Sequence, residues 1–128
     1  MSLELSLILG LLLHFVGDYL LQNDWMAQNK TKDWFPCFIH CVLYTLPFGF
    51  VIWQSPWLWS VFLTHYAIDR WQLAVYWIRL VNWNWEGTNF GYDETKPKYM
   101  SVWLLIVIDN TFHILTNSLL IWLYHTYK

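Results

Sequence analysis

Charge is scarce in this chain. Only 12% of its 128 residues are Asp, Glu, Lys or Arg, about half the share usual in a soluble domain. The net charge is −2 and no run of lysines or arginines occurs, so the electrostatic footprint of a nucleic-acid binder is missing. Cysteine is limited to Cys37 and Cys41. Four residues apart on an expected helix, they define no disulfide framework. The amino-terminal stretch lacks a basic n-region and a small-residue cleavage site. The first apolar segment is therefore expected to remain as a helix rather than to be removed. No low-complexity tract and no soluble domain interrupts the rest.

What the chain has instead is apolar and aromatic surface. Hydrophobic residues make up 57% and aromatics 21%, with 11 Trp and 8 Tyr. A water-soluble protein this small could hardly hide so much. The mean hydropathy, +0.30, understates the case because the scale counts Trp and Tyr as polar. Membrane interfaces favour both residues.

These features predict an integral membrane protein: all-α, one domain over 1–128, a four-transmembrane-helix bundle with spans near 3–22, 36–53, 57–81 and 99–124. Each is close to the roughly 20 residues that cross ~30 Å of hydrocarbon. Pro36 suits a first helical turn, Pro47 is expected to kink the second span, and the long aromatic loop "NWNWEGTNFGYDETKPK" separates the third and fourth. Four crossings leave both termini on one side. The connections on the other side carry Lys30, Lys32, Arg79, Lys96 and Lys98, against Lys128 at the end. The positive-inside tendency then places those connections in the cytoplasm and the termini in the periplasm of an inner-membrane protein.

Polar residues inside these spans follow a pattern. The first holds "HFVGD" (His14, Asp18), the third "HYAID" (His65, Asp69) and the fourth "DNTFH" (Asp109, His113); the second contributes His40. Residues four apart share a helix face. The fourth span runs opposite to the first and third, and its motif is reversed. All three pairs thus place Asp nearer the 1–2 and 3–4 connections and His one turn deeper. An Asp at the bilayer centre costs roughly 2.5–3.5 kcal/mol on insertion scales, and three together would rival a domain's whole stability. Arg70 and Arg79 are too few to neutralise them. A divalent metal, one or two ions of Zn, Mn or Fe, would. The predicted metal ligands are His14, Asp18, His40, His65, Asp69, Asp109 and His113. Gln22, Asn110 and Asn117 lie on the same faces, suited to supporting or substrate contacts or to plain interhelical bonding. Arg70 is a candidate clamp for a substrate anion.

The blocks "HFVGDYLLQNDWMAQNK", "THYAIDR" and "IDNTFHILTN" resemble a domain-of-unknown-function family of small prokaryotic and phage integral membrane proteins, marked by HxxxDxxLQ, HxxxDR and DNTxH. The resemblance spans nearly the whole chain and carries His14, Asp18, Gln22, His65, Asp69, Arg70, Asp109, Asn110 and His113 as motif residues; His40 matches a recurrent His before the second span. More distantly, the HxxxD pattern is similar to the YdjM-type inner-membrane proteins, described as predicted metal-dependent hydrolases.

The expected function is an intramembrane metal-dependent hydrolase of a phosphoester or lipid-like substrate, with a small anionic or lipid molecule and the bilayer as partners. A bound divalent ion acidifies water toward ~7 and polarises a carbonyl or phosphoryl group. Asp18 or Asp69 would serve as general base, and Arg70 would hold the anion. Two other readings stand beside it. One is a divalent-metal or proton transporter or channel, for which homo-oligomerisation would supply the material that four helices lack. The other is a metal-stabilised, partner-binding phage accessory protein.

Overall fold

Ser2 opens the first helix. Its side chain accepts a hydrogen bond from the Leu5 N–H at 3.2 Å, satisfying one of the donors that a helix start leaves free. Helix α1 covers Leu3–Phe15 and passes directly into a π-helical turn, Val16–Leu20. Short helix α2, Asp24–Asn29, is capped by Asn23, which accepts from Met26 N–H. Then follow α3, Trp34–Thr45; a 3-10 turn, Leu46–Phe50; α4, Ser55–Arg70; α5, Leu73–Asn82; and α6, Lys98–Tyr127. This computed structural model describes all of residues 1–128 and contains no strand.

The architecture is all-α as expected, but two helical stretches rather than four are long and apolar enough to cross a membrane: Leu3–Leu20 and Lys98–Tyr127. The expected second span changes to 3-10 geometry around Pro47. Proline has no N–H to donate and its ring crowds the carbonyl four residues back, so the α-helix stops at Thr45. The expected third span, 57–81, is two helices. It breaks at Trp71 and Gln72, where Gln72 takes a left-handed φ of 45°. Neither glycine nor proline marks this break, and the apolar pattern runs straight through it.

Helix α6 is the spine. α1, α4 and α5 all pack on it, and α3 packs on α4. An apolar cluster of Tyr44, Phe48, Val51, Ile52, Val61, Ile121 and Tyr124 fills the end near the chain termini. Close helix approach there depends on small residues. A Cβ on Gly10 would run into Ile121, and one on Gly17 into the Tyr44 ring. At the same end His125 Nε2 and Ser6 Oγ lie 2.9 Å apart.

The distribution of polarity is inverted. His14, His40, His65, His113, Asp18 and Asp69 are buried, while Leu5, Ile8, Leu12, Leu63, Trp103, Leu115 and Leu119 are exposed. In a protein surrounded by water the reverse is the rule for charged residues. The loop after α5 is held by its own side chains. Asn89 donates to the carbonyls of Asp93 and Lys96, both at 2.9 Å, and Glu94 accepts from the Thr88 N–H and hydroxyl.

Candidate metal centre

The π turn holds Asp18. Such turns insert a residue into an α-helix and often mark functional positions. Here the turn follows α1 directly and keeps His14 within one turn of Asp18. Asp18 Oδ1 faces His40 and His65, while its Oδ2 stays 3.8 Å from His14 Nδ1, whose close hydrogen-bond partners lie elsewhere.

Four ligand atoms converge in the middle of the bundle. His40 Nε2 and His65 Nε2 are 2.8 Å apart. Asp18 Oδ1 lies 3.1 Å from His40 Nε2 and 3.5 Å from His65 Nε2. Asp69 Oδ2 lies 3.1 Å and 3.0 Å from the same nitrogens. Each residue offers one atom within 4.8 Å of the others, and all four are buried. A second group, Asp18, Asp109 and His113, meets the same criterion, so Asp18 belongs to both. Asp69 ties them together: its Oδ1 faces His113 Nε2 at 2.9 Å, and Asp109 Oδ2 lies 3.4 Å from that nitrogen.

The donor chemistry suits a cation. Two imidazole nitrogens at 2.8 Å can share at most one proton between them. Asp18 Oδ1 is buried and, although His40 Nε2 is 3.1 Å away, makes no aligned hydrogen bond; Nδ1 of His40 and Nδ1 of His65 are buried without a partner. Buried polar atoms without partners are costly. A divalent ion at the convergence point would neutralise the carboxylate oxygen and accept the lone pairs of the two Nε2 atoms, the donor set usual for zinc, manganese or iron; the Nδ1 atoms lie on the other side of each ring and would not reach it. The buried His/Asp groups can hold a metal ion.

His14 stands beside these groups but in neither of them. Its Nδ1 is 2.8 Å from the Tyr44 hydroxyl and its Nε2 is 2.9 Å from Asn110 Oδ1. Asn117 Nδ2 donates to Tyr44 at 2.7 Å, and Asn110 Nδ2 donates to the Tyr19 hydroxyl at 2.7 Å. One assignment satisfies every member. Tyr44 accepts from Asn117 and donates to His14 Nδ1; His14 Nε2–H donates to Asn110, and Asn110 donates to Tyr19. With this assignment His14 is neutral and both of its nitrogens are engaged. Asn110 and Asn117 thus act on His14 and Tyr44. The Tyr44 ring also stacks on His65, with centroids 3.6 Å apart.

Two basic residues take unexpected places. Arg70 donates to the Thr31 carbonyl at 2.8 Å and the Lys32 carbonyl at 3.2 Å, which fastens the α2–α3 connection to the end of α4. Lys30, from that same connection, reaches inward and donates to Asp69 Oδ2 at 3.0 Å. Burial opposes its ammonium, but Asp69 and Asp18 outweigh that and hold the Lys30 pKa above the ordinary value. It offsets one of three carboxylate charges. Gln22 donates to the Asp18 carbonyl at 3.1 Å.

Lys30 and Tyr44 escape a search for ligand motifs. Tyr44 follows His40 by four residues, the same spacing that marks the His/Asp pairs, and that spacing is the one signal it offers. Lys30 offers none beyond its sign, because its reach depends on how the connection folds back.

The fold and this cluster define a class: a small all-helical protein, apolar outside, with a buried His/Asp group able to hold metal. The chain belongs to the family described as "Protein of unknown function (DUF3307)", whose model matches residues 6–128. No curated protein and no solved structure matches it.

Proposed function

We propose that this protein is an integral membrane metal-dependent hydrolase whose His/Asp centre acts on a phosphoester or lipid-like substrate. The observation that carries the reading is the convergence of His40, His65, Asp18 and Asp69 on one buried point. His113 and Asp109, with Asp18 shared, supply a second position. A centre with two candidate positions would suit phosphoester hydrolysis better than a single structural ion would. When bound, such ions supply Lewis acidity and an acidified water.

The chain's own residues have separable roles in this reading. His40 and His65 would hold an ion through their nitrogens, and Asp18, which belongs to both ligand groups, would contribute to either position. Asp69 touches His113 through one oxygen and the His40–His65 pair through the other, so it orients the ligands and can accept a proton at Oδ1 when His113 gives it up. In this reading Arg70 fastens the entrance, with two of its five donors on the carbonyls of Thr31 and Lys32.

The inverted polarity supports membrane insertion. Leu3–Leu20 and Lys98–Tyr127 would cross fully. The 17 residues Trp34–Phe50 and the 16 residues of α4 would complete a four-helix bundle as shorter segments, tilted or at thinned bilayer. The basic connections would lie in the cytoplasm. Transport is less well supported, because a site closed by four ligands from three elements releases its ion slowly.

Elemental analysis of dialysed protein tests the centre. Stoichiometric metal in the wild type is expected, reduced in Asp69→Ala at the His40–His65 position and in His113→Ala at the position shared with Asp109. Metal-dependent turnover of a phosphoester panel, absent in both variants, then separates an enzyme from a metal-stabilised scaffold. Ion uptake into proteoliposomes without turnover would favour the transporter.

A further inference from the structure

The centre is not sealed. Two adjoining cavities, of about 330 and about 260 Å³, open onto it. Ala27, Lys30, Ile106 and Asp109 line both, which makes them two mouths of one depression. The larger reaches Asp69, and the smaller reaches Asp18.

This depression has two chemically distinct ends. At its floor stand the three carboxylates and Lys30 Nζ. One side of the depression is Val102, Leu105 and Ile106 of α6, and Thr31 and Gln72 also line it. Val102 and Ile106 are also exposed on the outer surface, so the apolar wall continues onto the face that α6 turns outward. A small hydrophilic substrate has no use for such a wall. A molecule with an apolar chain and a polar head can lie along it, entering from the side.

The sign of the head follows from the proposed metal centre, on which this inference rests. Divalent cations held by Asp18, Asp69 and Asp109 would offset the carboxylates and leave the Lys30 ammonium facing the cavity. The head is then anionic. A phosphate has oxygens enough to meet Lys30 and the centre at once, which a carboxylate matches less well. We propose that the depression binds a phosphate-headed amphiphile. Its head lies against Lys30 and the metal centre, and its chain lies against Val102, Leu105 and Ile106.

Native mass spectrometry of the protein in dodecyl maltoside tests this, because metal and ligand are counted in the same spectra. The probe is dodecylphosphonate, with methylphosphonate and dodecanoate as controls. One dodecylphosphonate per chain is expected, at least tenfold tighter than either control. Lys30→Gln and Ile106→Trp should each weaken it at least tenfold with metal retained. Val102→Trp, at an exposed position, gives the same reading if Ile106→Trp does not fold. Methylphosphonate binding as tightly would point to a soluble phosphate and overturn the proposal. Equal binding of dodecanoate, or unchanged affinity in the variants, would overturn it as well. Metal without ligand sinks this inference alone. Ligand at Lys30 without metal sinks the metal centre and the head's contact with it, and overturns the proposal in that form while leaving Lys30 and the apolar wall as a ligand site.

Discussion

The Tyr44 hydroxyl lies 2.8 Å from Nδ1 of His14, and Asn117 donates to the same hydroxyl at 2.7 Å. Tyr44 is thus the middle link of a buried polar chain while its ring packs against His65. Tyr44→Phe keeps the ring and removes the link, leaving a His14 nitrogen and an Asn117 donor buried without partners. The expected cost is about 1–3 kcal/mol of stability, with metal content unchanged. Equilibrium unfolding in mixed micelles measures it; an unaltered midpoint would show that the chain does not stabilise the bundle.

Asp18 and Asp109 should differ in their effect on metal. Asp18 belongs to both ligand groups and Asp109 to one. Asp18→Asn is expected to lower metal affinity across the centre, by more than the 10–100-fold that loss of a supporting contact brings. Asp109→Asn should affect only the position that it shares with His113. Competition against a chromophoric chelator separates the two. Equal loss in both variants would contradict a shared Asp18.

Gly10 and Gly17 give a steric contrast. An added methyl at Gly17 meets the Tyr44 ring, which is pinned by stacking and by two hydrogen bonds, whereas at Gly10 it meets the flexible end of Ile121. Gly17→Ala should destabilise by about 1–3 kcal/mol, as overpacking does, and Gly10→Ala by clearly less. Chemical denaturation of the two variants side by side checks the order.

Arg70 is expected to govern the α2–α3 connection. Amides of Lys30, Lys32 and Asp33 bond to Met26 and Asn29 carbonyls in the segment that Arg70 fastens. Arg70→Ala removes two charge-assisted bonds, each worth roughly 1.5–3 kcal/mol. Hydrogen exchange at those amides should quicken at least tenfold while bound metal persists. Unchanged exchange together with lost turnover would return Arg70 to a substrate-binding role.

The loop before α6 should respond to acid. The Thr88 N–H and hydroxyl bond the Glu94 carboxylate and hold its pKa below the ordinary value. A depressed carboxyl pKa stabilises the folded loop above the unfolded value, near about 4.3, and that contribution is lost as pH falls through the folded value. Loop order should therefore decline below roughly pH 4, with no matching change on the alkaline side. The Thr88 amide shift reports it, and Glu94→Gln should flatten the titration.

Much of the helical content was legible. Apolar runs gave the long helices at each end of the chain, and Pro47 marked where α3 gives way to 3-10 geometry. The three His/Asp pairs and their reversed order pointed to one shared interior level. The break at Trp71 and Gln72 was not legible, since no breaker residue stands there and only a left-handed backbone at Gln72 creates it. The π turn at Asp18 was equally hidden, because one inserted hydrogen-bond register leaves no mark in composition.

The sequence by itself determined which side chains must be buried together: scarce charges placed four apart in apolar helices have no other inexpensive environment than one another. Tertiary structure alone decided which of them share an ion-sized space. That choice depends on distances between helices far apart in the chain. Those distances put His14 on Tyr44 and Asn110, set Arg70 on backbone carbonyls, and brought Lys30 in from a connection to meet Asp69.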